Sequence, residues 1–316
     1  MTLSKEDLES LFPKIKNGPR NHIITDCPFC GKSSHFYINR GTQQWDCKSC
    51  GEDGNIFKLL SFLDKLFLLG DFKSIERIKI KMLAEYENDT NDDDSSVVTE
   101  IRKLPIGFKR IYSNEYLKTR KYTKKNFQDN IIGITNLLPK LRDYIIFSIN
   151  DDEGCKGYIA RYSKPIPESK KKKILRYRND KGAIFSKLLY GFEKVTENTQ
   201  TIILVEGLID KNTLDNFLHL NESEEIKACA TFGKKISKSQ ILKILGKGIK
   251  NIILIFDGDA IREMKKFSLE LNKYFNVQVG FTFAKDINES TDSEIEQIFY
   301  NLKSPRDFNR KTVRNL

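Results

Sequence analysis

The chain has 316 residues, 39% hydrophobic and 31% charged, which is enough apolar material for packed cores and a length that fits two or three domains. Lysine and arginine outnumber aspartate and glutamate 54 to 43, and the resulting net charge of +11 points to a polyanionic partner. No apolar run nears the ~20 residues of a membrane span, the opening MTLSKEDLES has no signal-like apolar core, and six cysteines are too few for a disulfide scaffold. A membrane class and a secreted class are thereby set aside, and a cytoplasmic protein is expected.

In chain order, Ser4 with Asp7 three residues on is expected to cap a short helix over residues 5–12. A cysteine-rich segment follows at 27–50. Asn55 then stands before an apolar helical face of Ile56, Leu59, Leu60 and Leu63, and helical pattern continues to about residue 86. The stretch ENDTNDDDSS at 87–96 has no apolar residue and reads as a solvated acidic linker, giving a domain over 1–86 and a tether over 87–99. Beyond it, the apolar runs 144–149 and 157–162 flank a polar turn containing Gly154 and predict a hairpin.

From residue 200 the pattern changes to short apolar strands alternating with helices. TIILV (201–205) precedes a helix expected from about Asp210 to Leu220, ACATF (228–232) precedes a polar helix, and NIILIF (251–256) precedes another. This alternation predicts a parallel sheet covered on both faces, extended by VQVGFTFA (277–284). The remaining boundaries are set at 100–197 for a basic α/β region, 198–290 for the parallel-sheet region and 291–316 for a C-terminal helix and tail.

Cys27-Pro-Phe-Cys30 and Cys47-Lys-Ser-Cys50 form two C-x2-C pairs separated by sixteen residues. Zinc takes four tetrahedral ligands, and each pair can present two thiolates to one ion. Gly31 and Gly51 follow the pairs and permit a tight turn behind the sulfurs. Four thiolates close the coordination shell, so Zn2+ here would be structural. Trp45 is the candidate for stacking on single-stranded bases, with Phe36 and Tyr37 open between that role and a small core.

A second constellation sits at strand ends. TIILV runs into Glu206-Gly207, and NIILIF runs into Asp257-Gly258-Asp259. Ligands of open parallel sheets collect at the C-terminal ends of strands, and clustered carboxylates repel unless a cation neutralises them. Mg2+ is the natural guest, with Mn2+ as the alternative, and Asp286 after the last strand offers a further acid. Asp210 and Glu289 are left open between this edge and ordinary helix or turn capping.

Between these two constellations, residues 161–187 carry ten lysines and arginines against Glu168 and Asp180, with Tyr162 and Tyr177 interleaved. Lys170–Lys173 fits a solvated loop, whereas Arg161, Arg176 and Lys187 lie in strand-like or apolar surroundings and fit aimed phosphate contacts.

The order of these parts resembles the DNA primases of bacteria and tailed phages: a zinc ribbon, a tether, a basic region, then Glu206 and Asp257-Gly258-Asp259 in an arrangement similar to the Toprim signature. Cys47-Lys-Ser-Cys-Gly-Glu-Asp-Gly-Asn-Ile-Phe resembles the end of the primase ribbon. Arg142-Asp-Tyr-Ile-Ile-Phe-Ser-Ile, Gly157-Tyr-Ile-Ala-Arg161, Leu175-Arg-Tyr-Arg-Asn179 and Phe185-Ser-Lys187-Leu-Leu-Tyr-Gly191 resemble successive primase elements. The resemblance covers roughly 22–60 and 140–290. It implies an α/β fold with the ribbon tethered to a core made of a basic subdomain and a Toprim subdomain, as in the stand-alone primases of T-even-type phages; no P-loop of the form G-x4-G-K-[ST] is present.

What the resemblance implies for function is synthesis of short RNA primers on a single-stranded DNA template from ribonucleoside triphosphates. It implies catalytic roles for Glu206, Asp257, Asp259 and Lys187, magnesium at Glu206, Asp257, Asp259 and Asp286, and template or nucleotide contacts from Arg142, Arg161, Arg176, Asn179, Lys187 and Trp45. Glu206 is left open between metal ligand and proton acceptor. Implied partners are a separate hexameric helicase and a single-strand-binding protein. Two alternatives stay open: a Toprim-type DNA nuclease, and a non-catalytic recombination mediator that pairs a zinc module with a Toprim domain.

Overall fold

A computed structural model describes residues 3–63, 100–170, 173–282, 284 and 286–311. The acidic linker expected at 87–99 and the helical pattern from 64 to 86 lie outside the described residues. Among the described residues no helix is long and apolar enough to cross a membrane. Among the described residues the fold is mixed α/β, built on two five-stranded sheets and one four-stranded sheet.

The first sheet is the ribbon. Helix α1 (Lys5–Ser10) is capped by Ser4, whose hydroxyl accepts from the Asp7 N–H. Strands β1 (Ile15–Asn17), β2 (His22–Thr25), β3 (Phe36–Asn39), β4 (Gln44–Cys47) and β5 (Asp53–Asn55) pair antiparallel in sequence order. Alternation along β2, β3 and β4 sends Ile23, Phe36, Ile38 and Trp45 inward against Leu8, Leu59 and Leu60. Helix α2 (Ile56–Phe62) starts where expected, with the Asn55 carboxamide accepting from the Lys58 N–H.

The second sheet comprises β6 (Lys109–Arg110), β7 (Ile132–Ile134), β8 (Tyr144–Asp151), β9 (Gly154–Tyr162) and β10 (Tyr177–Asn179), all antiparallel. The hairpin turn is shorter than the sequence suggested: Asp151 pairs with Gly154, so only Asp152 and Glu153 lie between the strands. Tyr144 and Ile146 pack on one face, while Ile145, Phe147 and Ile149 pack on the other. Two short helices, α3 (Glu115–Thr119) and α4 (Lys124–Asp129), bring Leu117 and Phe127 to that second face.

The third sheet is parallel: β11 (Thr201–Val205), β12 (Ile226–Ala230), β13 (Asn251–Phe256) and β14 (Asn276–Phe281). Its strands are apolar on both sides because both faces are covered. Helices α6 (Lys238–Gly246) and α7 (Ile261–Leu271) bury Ile241, Ile244, Met264 and Leu271 against Ile202, Leu204, Ile252 and Leu254. Helix α5 (Leu208–Phe217) and α8 (Asp292–Tyr300) cover the opposite face, where Ile203 and Val205 share one core with Phe147 and Ile145 of the second sheet. The two subdomains therefore meet through a continuous apolar core. The last helix, α9 (Pro305–Lys311), contributes Phe308 to the α7 side.

The ribbon rests against the N-terminal ends of the parallel strands. The Lys58 ammonium, fully buried, donates to Glu52 Oε2 (3.0 Å), the Asp53 carbonyl (3.0 Å) and Asn272 Oδ1 (2.9 Å), the last at the end of α7. Arg306 of α9 adds an ion pair to Asp53 at 3.3 Å. Burial holds the Lys58 pKa below the ordinary lysine value, with Glu52 acting in the opposite direction. Removing the ammonium leaves the half-buried Glu52 carboxylate and the buried Asn272 amide without this partner. Lys58→Ala is thus expected to cost about 1–3 kcal/mol, seen as a lower midpoint in thermal denaturation. An unchanged midpoint would show that the buried contact carries no stability.

Candidate functional site

The two cysteine pairs occupy equivalent turns. Gly31 N–H donates to the Cys27 carbonyl and Gly51 N–H to the Cys47 carbonyl, each at 2.9 Å, and both glycines have positive φ (69° and 81°). These left-handed positions close the two turns behind the sulfurs. Cys27 and Cys50 sulfurs lie 3.8 Å apart, Cys30 and Cys47 sulfurs 3.9 Å, and all four fall within 4.8 Å of one another. A tetrahedron with Zn–S near 2.3 Å requires S···S separations of about 3.8 Å. The four-cysteine cluster fits a structural zinc ion. His35 is turned away, with Nδ1 2.7 Å from the Ser33 carbonyl.

Strands β11 and β13 are immediate parallel neighbours, so the residues that follow them emerge side by side. One carboxylate oxygen from each of Glu206, Asp257 and Asp259 lies within 4.8 Å of the others. An octahedral magnesium with Mg–O near 2.1 Å spaces its ligand oxygens by about 3 Å to about 4.2 Å, so this donor set fits a hard divalent cation after a small contraction. Glu206 is fixed in place by the Asp257 N–H, which donates to Oε1 at 3.0 Å. Burial, then the nearby Asp257 charge, push the Glu206 carboxyl up to about 7. Asp259 is the exposed member and pairs with Lys234 at 2.6 Å.

A fourth acid joins this edge. Helix α5 begins at Leu208, two residues earlier than the sequence pattern suggested, which puts Asp210 in its first turn. It is buried, and burial followed by Asp257 and Asp286 pushes its pKa up to about 7. The Asn288 N–H donates to Asp210 Oδ1 at 3.1 Å. A Cβ at Gly207 would stand 2.7 Å from Asp210 Oδ2, so the glycine leaves room for that carboxylate. The signal in the sequence is an acid three residues past the N-cap Gly207, in the helix turn that directly follows the strand end.

Asp286 lies near enough to act on Asp210 but accepts the Glu289 N–H at 2.8 Å and is not one of the three converging carboxylates. Asn288 is committed elsewhere: its amide donates to the Arg120 carbonyl (2.9 Å) and Thr213 Oγ1 (3.1 Å), and its Oδ1 accepts from Arg120 Nη1 (3.1 Å).

The expected nucleic-acid contacts divide. Trp45 is a correction: it is 3% exposed, stacked on Phe29 at 4.9 Å between centroids and tilted against Phe36, with Nε1 donating to the Asn55 carbonyl. Its indole fills the ribbon core and has no face left for a base. Phe36 is likewise core, while Tyr37 remains partly exposed with Lys48 over its ring. Arg161 is 6% exposed; its guanidinium lies over the rings of Tyr177 and Tyr116 and donates to both hydroxyls. Register places Arg142, Arg161 and Arg176 at one end of the second sheet, since Tyr144 pairs with Tyr162 and Arg161 with Tyr177. Arg142, Arg176 and Asn179 are exposed, and Lys187 is half-buried on the turn Phe185–Lys187.

No family model matches the chain, and no curated protein matches it in sequence. In structure it is similar to the zinc-binding and RNA polymerase domains of the Aquifex aeolicus primase, with TM-score 0.45, 16% identity, and 94% of this chain and 83% of that one covered. It is also similar to the RNA polymerase domain of Mycobacterium tuberculosis primase DnaG (TM-score 0.48, 12% identity, 76% and 86% covered). A third similar structure is the primase fragment of the bacteriophage T7 primase-helicase protein (TM-score 0.46, 15% identity, 87% and 98% covered).

Two predictions follow from this geometry. The single tryptophan lies in the ribbon core, so stripping zinc with a chelator should red-shift its fluorescence as the ribbon opens; emission that does not move would contradict a structural ion. Glu206 and Asp210 both have folded-state pKa values raised above their ordinary values, so the folded chain favours their protonated forms. Their cost to stability is absent below about pH 4 and complete above about pH 7. A divalent cation that replaces those protons should raise the melting temperature more at pH 8 than at pH 5.5. Equal magnesium-induced shifts at both values would argue against binding at these acids.

Proposed function

We propose that the protein synthesises RNA primers on single-stranded DNA from ribonucleoside triphosphates. The observation that carries this reading is the convergence of Glu206, Asp257 and Asp259 at adjacent ends of a parallel sheet, within reach of one divalent cation. Support comes from the primase-like motifs around Arg142, Arg161, Asn179 and Lys187, and from the zinc-fitting ribbon in the same chain.

In this reading Asp257 and Asp259, on one turn, would hold the catalytic cation together with Glu206. The cation, when bound, neutralises triphosphate charge and lowers the pKa of the attacking hydroxyl. The 3′-oxygen forms a bond to the α-phosphorus of the incoming nucleotide, the bond from that phosphorus to the β-phosphate bridge breaks, and pyrophosphate leaves with the electron pair. Glu206, held by the Asp257 N–H, completes the cation's donor set, and the hydroxyl proton passes to water. Asp210 and Asp286 extend the negative edge and set its total charge. Arg142 and Arg176, exposed at one end of the second sheet, supply cations for the template or triphosphate, and Lys187, half-buried on the Phe185–Lys187 turn, supplies a third. A separate hexameric helicase is the partner this reading implies for duplex unwinding.

Asp257→Asn removes a ligand charge while keeping the side-chain shape. With mixed single-stranded templates, labelled ribonucleoside triphosphates and Mg2+, wild type should make short template-dependent RNA and the variant about 10²–10³-fold less. Template cleavage without RNA would identify a nuclease. DNA binding with neither product, even with a replicative helicase present, would favour the mediator.

A further inference from the structure

Beside the acid edge stands a loop that the mechanism above does not use. It spans Thr231 to Ser237, between β12 and α6, and is pinned at both ends. Thr231 N–H donates to the Val205 carbonyl at 3.0 Å, and its hydroxyl to the Gly233 carbonyl at 2.7 Å. At the other end Ser237 caps α6, accepting from the Gln240 N–H at 3.0 Å while its N–H donates to Gln240 Oε1 at 2.9 Å. The Ser237 hydroxyl also donates to the Ser186 carbonyl, and Phe232 meets Phe185 edge-to-face at 5.0 Å. The loop is thereby braced on the turn that carries Lys187. Phe232 (φ 64°) and Gly233 (φ 147°) turn the backbone so that Lys234 reaches the acids.

Lys234 Nζ sits 2.6 Å from Asp259 Oδ1 and acts electrostatically on Glu206 as well. The two side chains are 39% and 75% exposed, so the pair is weak and readily exchanged for a stronger partner. A divalent cation held by Glu206, Asp257 and Asp259 would draw on the same Asp259 carboxylate.

We propose that Lys234 is a built-in counter-ion of the carboxylate site: it competes with the divalent cation for Asp259 and is released when the cation binds. This rests on the metal reading given under Proposed function and deepens it. The sign of the effect is fixed by electrostatics. A lysine that helped the cation bind would have to offer it a ligand, and an ammonium has none. Its charge repels the cation, and its hydrogen bond occupies one of the oxygens. Once released, the ammonium stands at the rim of the site, free to meet a phosphate oxygen of the substrate.

The test is a Mn2+ titration of the full chain read by the electron paramagnetic resonance signal of free Mn2+, on wild type, Lys234→Gln, Lys234→Arg and Asp257→Asn. Lys234→Gln should bind Mn2+ more tightly than wild type, by about tenfold for a unit charge removed at this range, and the difference should shrink as ionic strength rises. Lys234→Arg should stay within about twofold of wild type, because charge and donor are retained. Unchanged or weaker binding by Lys234→Gln, with Asp257→Asn still losing Mn2+, would overturn the counter-ion role alone. Asp257→Asn binding as tightly as wild type would overturn the metal reading and this inference with it.

Discussion

Like charges at adjacent strand ends are the constraint around which the parallel-sheet half of the molecule is arranged. Strands β11 and β13 are buried on both faces and pair in parallel, so whatever follows Val205 and Phe256 is delivered to one spot. The chain delivers Glu206 there from one strand and Asp257 from the other, with Asp210 a helical turn behind. Burial, and after it repulsion from Asp257, push the Glu206 and Asp210 carboxyls up to about 7. The surrounding polar groups answer that repulsion: the Asp257 N–H on Glu206, the Asn288 N–H on Asp210 and the Lys234 ammonium on Asp259. Each offsets part of a charge that a divalent cation would offset more fully.

The zinc-fitting ribbon has a different job. It lies at the N-terminal ends of the same parallel strands, held by Lys58 and the Asp53–Arg306 pair, whereas the acids lie at the C-terminal ends. The two candidate metal centres are separate sites with opposite chemistry. Four thiolates saturate a soft tetrahedral ion and leave it no open position, while three hard carboxylates leave room for water and phosphate.

Much of this was legible in the sequence where the pattern is local. The C-x2-C pairs with trailing glycines gave the sulfur cage, and the all-apolar runs ending in Glu206 and Asp257 gave the parallel sheet and its edge. Trp45 fits base stacking by its residue type, but its more exposed neighbours Gln44 and Asp46 alternate with it along β4 and mark it as the inward position. Asp210 fits a capping role in sequence, and only the start of α5 at Leu208 brings it to the same edge as Glu206. Arg161 was expected to face a ligand, and its partner Tyr116 lies 45 residues away on α3, a contact that only tertiary packing creates. Lys234 carried no motif at all. It gains its meaning from a loop whose two ends are tied to β11 and to the Phe185–Lys187 turn.

The central claim, that adjacent parallel strands present their terminal carboxylates to one divalent cation, is tested most directly by anomalous diffraction from crystals grown with Mn2+. The account predicts a manganese peak bounded by Glu206, Asp257 and Asp259, with Lys234 withdrawn from Asp259. A fully soaked crystal with no anomalous density among these three carboxylates, and Lys234 still paired, would contradict it.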